Sequence, residues 1–282
     1  MTAVQAVLIA ILQGATELFP VSSLGHAVVL PAVFGTGIDQ RALSFLPFLV
    51  MLHVGTAAAL LLFFGRDWWL IATGVLGIGS THQVSESRRV LVRVIVATLP
   101  AVIVGFFFEK FVRDLFASPV AAAAFLIVNG AVLFGAERLR RRASAQGRHR
   151  PLSTLSNADA LAVGFWQCLA LIPGMSRSGV TIVGGLLRGF DHEDAAHFSF
   201  LIATPIILAA TVLEVPKLLQ ATIPPGTFEL AVLSAIVAGT TAFICTALLM
   251  RWFRNHDQWA LDPFAFYCAM LGAVCLGVLL VA

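Results

Sequence analysis

Apolar residues run along this chain in long blocks, and polar residues gather in the gaps between them. The clearest blocks are Phe45–Phe64, Val90–Phe108, Pro119–Ala136, Phe198–Leu213, Phe228–Met250 and Ala260–Ala282. Each approaches the roughly 20 apolar residues that cross a hydrocarbon core, so six transmembrane helices are expected. Two further apolar regions, Val4–Pro31 and Ala160–Leu187, are interrupted midway by Pro, Gly and Ser. Irregular backbone at membrane depth is tolerated only where protein buries it or where it lines a cavity. Both regions are therefore expected to be re-entrant helical hairpins that dip in and return to the same side. Trp68 and Trp69, beside Arg66 and Asp67, read as an interfacial anchor.

Each half of the chain then holds one hairpin, which does not cross, and three spans, which do. An odd number of crossings inverts the second half relative to the first. The expected fold is an all-α polytopic membrane protein of two inverted-topology repeats, residues 1–136 and 159–282, joined by an Arg-rich cytoplasmic linker over 137–158. Composition agrees: 59% of the 282 residues are hydrophobic and 12% charged, about half the charge of a soluble domain. Met1 to Leu12 lacks a basic stretch and a small-residue cleavage site, so no cleavable signal peptide is expected. The four cysteines, Cys168, Cys245, Cys268 and Cys275, lie in apolar segments with no zinc or disulfide spacing and read as packing residues.

The net charge of +3 is small, so its distribution matters more than its sum. In the expected topology one side carries twelve Lys/Arg (Arg66, Arg88, Arg89, Arg138, Arg140, Arg141, Arg142, Arg148, Arg150, Arg188, Arg251 and Arg254). The other carries four, Arg41, Lys110, Arg113 and Lys217. The positive-inside rule makes the Arg-rich side cytoplasmic. Both termini then face outward, the first hairpin enters from outside and the second from the cytoplasm. The single basic run adjoins a span and has no interleaved aromatics, which argues against nucleic acid.

The two interrupted regions resemble each other. Aligned without a gap, "LQGATELFPVSSLGH" from Leu12 and "WQCLALIPGMSRSGV" from Trp166 match Gln13 with Gln167, Ser22 with Ser176, and Gly25 with Gly179. Ser23 falls opposite Arg177. Broken segments at corresponding positions of inverted halves point to a site at the bilayer midplane. Each tip is a Gly/Ser turn leading into a helix, whose start offers unpaired N–H groups and a positive dipole end to an anion. Arg177 adds a planar fork suited to phosphate, and Glu17 is its protein counter-ion. Ionisable residues inside a membrane are functional by default. The serines Ser22, Ser23, Ser176 and Ser178 suit helix capping, substrate contact, or both. His26, three and four residues beyond Ser23 and Ser22, suits general acid/base or nucleophilic chemistry. His53 and His197 have no motif around them and read as structural, and Gln13 and Gln167 as hydrogen-bonding glue between helices.

"QGATELFPVSSLGH" with "PGMSRSG" resembles the paired signature of the undecaprenyl-diphosphate phosphatase family, also called the bacitracin-resistance protein family, and the span pattern fits the whole chain. The resemblance implies a membrane enzyme of the bacterial inner membrane, acting at the outward face. It would hydrolyse undecaprenyl diphosphate to undecaprenyl phosphate and inorganic phosphate, recycling the lipid carrier of cell-wall synthesis. It further implies a divalent cation, magnesium or calcium, and a polyprenyl diphosphate lipid as substrate, and it leaves room for a homodimer. Carried over, Glu17, Ser23, His26 and Arg177 are the expected catalytic residues. Ser22, Gly25, Gly174, Ser176, Ser178 and Gly179 are the expected substrate-binding positions, and Glu17 with Gln13 the metal-binding ones. Gln13 stands where some members carry glutamate, and Leu24 where many carry Ser or Thr. The attacking group stays open between His26, Ser23 and water. The rival reading is a lipid-phosphate carrier using the same midplane anion site, because inverted repeats with broken segments also build transporters.

Overall fold

The computed structural model describes residues 2–35, 45–108, 110, 115, 118–145, 150–220 and 226–281. Arg41, Arg113, Arg148 and Ala282, which entered the expectations above, lie outside the described residues, as does the side chain of Lys217. The helices are α1 (Ala3–Thr16), α2 (Ser23–Phe34), α3 (Phe45–Phe63), α4 (Gly65–Val75), α5 (Thr81–Phe107), α6 (Pro119–Ser144), α7 (Asn157–Cys168), α8 (Arg177–Leu187), α9 (His192–Gln220), α10 (Thr227–Asn255) and α11 (Asp262–Val281). No strand occurs among the described residues.

Five helices, α5, α6, α9, α10 and α11, are long and apolar enough to cross a membrane, and the bent pair α3–α4 brings the number up to six. The chain is an all-α, multi-pass membrane protein. Its polarity is inverted relative to a soluble domain. Phe106, Phe107, Ile236, Phe266 and Leu280 each expose more than 60% of their surface, whereas Gln13, Asn129, Ser178 and Glu137 are almost wholly buried. Large contiguous apolar surface of this kind needs a covering partner, which lipid supplies.

Several helices outrun the apolar blocks that announced them, α5 and α6 by the most at a single end. At 1.5 Å per residue the 27 residues of α5 reach about 40 Å, so its start at Thr81 projects beyond the apolar part that begins at Val90. Likewise α6 continues through Glu137 to Ser144, turning the first part of the expected 137–158 linker into helix. That segment is rich in strong helix formers, and Glu137 and Arg140 are buried against partners rather than solvated. The Trp68–Trp69 anchor lies on a helix of its own, α4, bent 77° from α3. Trp69 is largely exposed while Trp68 packs on the main core.

The packing is reciprocal between the two halves. Helix α1 lies against α10, and its counterpart α7 lies against α5. The first spans α3 and α9 pack on each other, as do the last spans α6 and α11. The α6–α11 contact is close because small residues line it: a Cβ on Gly272 would come 2.8 Å from the Ala123 carbonyl oxygen and one on Gly130 2.6 Å from that of Ala265. All four cysteines are free.

Candidate functional site

The two hairpin tips are built alike and meet. In the first, α1 ends at Thr16, Glu17 caps it, and the chain turns through Pro20 to Ser22, the N-cap of α2. In the second, α7 ends at Cys168 and the chain passes through Gly174 to Ser176, the N-cap of α8. The aligned serines do the same work: Ser22 Oγ accepts from Gly25 N at 3.2 Å, and Ser176 Oγ from Gly179 N at 3.1 Å. Each satisfies one of the N–H groups that a helix start leaves unpaired. The tips touch where Gly25 faces Gly174, so that a Cβ on Gly25 would come 3.2 Å from the Gly174 Cα. Gly174 itself has φ +90, and a Cβ there would collide with the Ala122 carbonyl oxygen. Gly174→Ala is therefore expected to push the second tip off α6, lowering the yield of folded protein and its thermal midpoint by several degrees.

A residue without a sequence motif ties the tips together. Asn129, fully buried on α6, donates Nδ2 to the Pro20 carbonyl at 3.0 Å and accepts from Ser176 N at 3.0 Å. The hydroxyls of Ser176 and Ser178 reach the Phe19 carbonyl at 3.3 and 2.9 Å and each other at 3.0 Å. Both serines are thus engaged with the opposite hairpin.

Beside this seam sits a buried polar cluster centred on Glu17. Its Oε1 accepts from Arg177 Nη2 at 2.6 Å, the pair expected from the sequence. Its Oε2 accepts from Ser23 Oγ at 2.6 Å and from Gln13 Nε2 at 2.8 Å. His53 Nε2 lies 3.3 Å from the same oxygen. His53 Nδ1 faces the Leu49 carbonyl at 2.7 Å and must carry a hydrogen, because a carbonyl only accepts. A second N–H at Nε2 then makes the contact to the carboxylate favourable, so His53 joins the cluster as an imidazolium. A lone histidine in an apolar span gave no hint of this contact with Glu17, which lies on another element. Two buried atoms of the cluster have no hydrogen-bond partner, Arg177 Nη1 and Gln13 Oε1. A buried donor or acceptor left unsatisfied costs about 1–3 kcal/mol, more when charged, so both atoms have bonding capacity to spare within the cluster.

His26 stands apart from this network. It is fully buried on α2, with Nδ1 on the backbone carbonyl of Ser22 at 2.7 Å and Nε2 on the phenol of Tyr267 at 2.8 Å. Helical spacing suggested that it would meet the hydroxyls of Ser22 and Ser23; its recorded partners are instead a carbonyl and a residue of α11. Ser22 is the one non-glycine with positive φ, 66°, among the described residues. Such strain persists only where surroundings impose it, and it clusters at functional sites. Gln167 donates to the Ala97 carbonyl at 3.2 Å, the helix-to-helix role expected of it.

A second charged network lies at the Arg-rich end. Fully buried Glu137 accepts from His192 Nε2 at 2.8 Å and from Leu261 N at 3.1 Å, and His192 Nδ1 reaches Asp257 at 3.1 Å. Arg140 grips both oxygens of Asp257 at 2.7 and 2.9 Å, and Arg141 pairs with Asp262. Asp159, in the capping box that opens α7, accepts from Arg150 and Arg188. Burial raises its carboxyl, but the hydrogen bonds from Arg150, Ser156 and Arg188 outweigh this and hold it well below the usual carboxylate range.

Fold and site together define a multi-pass helical membrane protein that seals a charge-paired cluster between two broken hairpins. A family model described as bacitracin resistance protein BacA matches residues 6–274, and the chain belongs to that family. A protein of Granulibacter bethesdensis named undecaprenyl-diphosphatase is 60% identical over 280 residues, covering 96% of this chain and 95% of its own length. Proteins of the same name from Acidiphilium cryptum and Gluconacetobacter diazotrophicus are 58% and 51% identical. The first covers 98% of both chains; the second covers 99% of this chain and 98% of its own.

Proposed function

We propose that the chain is an integral membrane phosphatase that hydrolyses undecaprenyl diphosphate to undecaprenyl phosphate and inorganic phosphate, returning the lipid carrier to cell-wall synthesis. The observation that carries this reading is the orphaned Arg177 Nη1, a buried cationic donor beside a hydroxyl already oriented on a carboxylate. The names of the similar proteins favour hydrolysis and lend the carrier alternative no support.

Arg177 holds Glu17 with one arm of its fork and offers the other to the diphosphate. Ser23 Oγ attacks the terminal phosphorus; the Oγ–P bond forms as the bond to the oxygen of undecaprenyl phosphate breaks. The serine proton passes to Glu17 Oε2, its existing hydrogen-bond acceptor. Water then cleaves the phosphoserine, releasing phosphate and restoring the hydroxyl. A carboxylate holding this many donors is a weak base, which matters little in a loose phosphoryl transfer, where positioning and charge neutralisation dominate. The cations Arg177 and His53 outnumber Glu17 by one, leaving positive charge for the anionic substrate. Ser22, Gly25, Gly174, Ser176, Ser178 and Gly179 shape and join the tips that frame the phosphates.

No group of three or more His, Cys, Asp or Glu comes together for a metal among the described residues. The unpartnered Gln13 Oε1 and the Glu17 carboxylate are nonetheless hard oxygen donors. Magnesium is commonly held by one or two carboxylates plus substrate phosphates, so the donor set fits magnesium or calcium held by Gln13 and Glu17. When bound, the ion would neutralise charge on the diphosphate. We further read the protein as two inverted repeats in the bacterial inner membrane, with the Arg-rich end cytoplasmic, both termini outward and the site opening outward. The reciprocal packing of α1–α10 and α7–α5, and the matched serine caps, support this reading.

The test is phosphate release from a prenyl diphosphate by detergent-purified, lipid-supplied protein, with magnesium, calcium or a chelator. Wild type is expected to release phosphate, with Ser23→Ala slowed at least a hundredfold while its thermal midpoint holds. A folded wild-type sample inactive under every metal condition would sink the reading.

A further inference from the structure

We propose that Tyr267 is a positioning residue that acts through His26 to hold the turn presenting Ser23; the proposal rests on the reading of Ser23 as the attacking group. The argument runs along a chain of contacts. The Ser22 carbonyl can only accept, so the hydrogen of the neutral imidazole sits on Nδ1, 2.7 Å away. Nε2 then presents a lone pair, and the Tyr267 hydroxyl donates to it at 2.8 Å. The two rings lie nearly parallel, 5° apart, with centroids separated by 5.6 Å. The imidazole is thus held at both ends, by backbone on one side and by a phenol from α11 on the other.

What His26 holds in turn is the strained residue of the tip. Ser22 keeps φ 66 and ψ 90 under the Nδ1–H bond to its carbonyl, and Ser23, immediately after it, places Oγ 2.6 Å from Glu17. Without the phenol, Nε2 of this fully buried ring loses the partner it has in the structure. A ring flip that seeks another partner for it surrenders the imidazole's bond to the Ser22 carbonyl, leaving that carbonyl to the His26 backbone N–H alone at 3.2 Å and loosening the turn. Among the described residues the hydrogen bond of Tyr267 goes to His26 and not to Glu17 or Arg177, so its influence falls on the orientation of Ser23 rather than on the grip of the phosphates.

Two properties make this testable. Tyr267 is the only tyrosine in the chain, and it is partly exposed, so replacing its hydroxyl leaves the core intact. Tyr267→Phe is expected to lower kcat about five- to tenfold, the effect of one lost neutral hydrogen bond, with KM within about twofold because Arg177 is untouched. In protein labelled with 15N-histidine, the Nε2 resonance of His26 is expected to move downfield, as an imidazole nitrogen does when it loses a donor. Growth on 3-fluorotyrosine alters only position 267. Its more acidic phenol donates more strongly and is expected to move the same resonance upfield, in protein that folds normally. An unchanged kcat in Tyr267→Phe, or a resonance deaf to both substitutions, overturns the proposal. A parallel worsening of KM, kcat and thermal midpoint also overturns it, reducing Tyr267 to packing. The underlying reading fails separately: Ser23→Ala at full activity removes it, whereas an inactive Ser23→Ala beside a wild-type Tyr267→Phe removes only the role of Tyr267.

Discussion

Arg177→Lys protein is expected to fold, insert and lose prenyl-diphosphate hydrolysis by roughly a hundred- to a thousandfold, the usual effect of removing a preorganised charge-stabilising donor. Retaining the positive charge does not help, because the position needs a fork. Arg177 spends Nη2 on Glu17 at 2.6 Å and keeps Nη1 buried and free. A lysine ammonium is a compact point charge on a flexible stem and cannot span both partners in that fixed geometry. Glu17 stays neutralised in the variant, since Gln13, Ser23 and His53 still donate to it, so the fold should survive. The readouts are initial rates at saturating and limiting substrate together with a thermal midpoint. A folded Arg177→Lys enzyme within threefold of wild type would contradict the clamp.

Glu137→Ala is expected to be the most destabilising single change at the opposite end of the molecule. The carboxylate is fully buried and bonded to His192 and to the Leu261 amide. His192, also fully buried, faces carboxylates with both ring nitrogens, so both carry hydrogens and the ring is cationic. Removing one partner of a buried ion pair costs about 3–5 kcal/mol when the other is left uncompensated; here His192 keeps Asp257 on Nδ1, so the expected loss lies toward the lower end. Thermal unfolding in detergent measures this, and a midpoint lowered by less than 2 °C would show the network to be dispensable. Whatever fraction remains folded should keep its specific activity, because none of these residues contacts the Glu17 cluster. Asp257 adds a pH dependence. Its hydrogen bond to His192 and its proximity to Arg140 outweigh burial and hold its carboxyl below the usual range. Its contribution is therefore complete above the ordinary carboxylate value of about 4 and is lost as pH falls through its lower folded value.

Much of this architecture was legible in the sequence because membrane helices announce themselves by length and polarity. The six apolar blocks and the two interruptions could be read from local pattern, and the pairing of Arg177 with Glu17, 160 residues apart, from the match between the two interruptions and the need of each intramembrane ion for a partner. What could not be read was set by distance along the chain. Asn129 looks like an incidental polar residue within "LIVNGAV", yet it bridges tips at Pro20 and Ser176. His53 lies in a span without a motif and reaches Glu17. Tyr267 meets His26 across 241 residues, and no spacing rule covers such a contact. The bend at Phe64–Gly65 was missed for another reason: periodicity locates helices but not the angle between consecutive ones.

The division of the cluster between the two hairpins bears on how the protein is made. Glu17 and Ser23 enter the membrane early in synthesis, with Arg177, the guanidinium partner of Glu17, still about 160 residues from being translated. Tyr267 arrives later still, on the final helix. Until then a carboxylate and a strained turn wait inside an unfinished bundle. The site is therefore completed by segments made far apart in time: Glu17 meets its guanidinium only when the second hairpin is in place, and the turn that presents Ser23 gains its phenol contact only with α11.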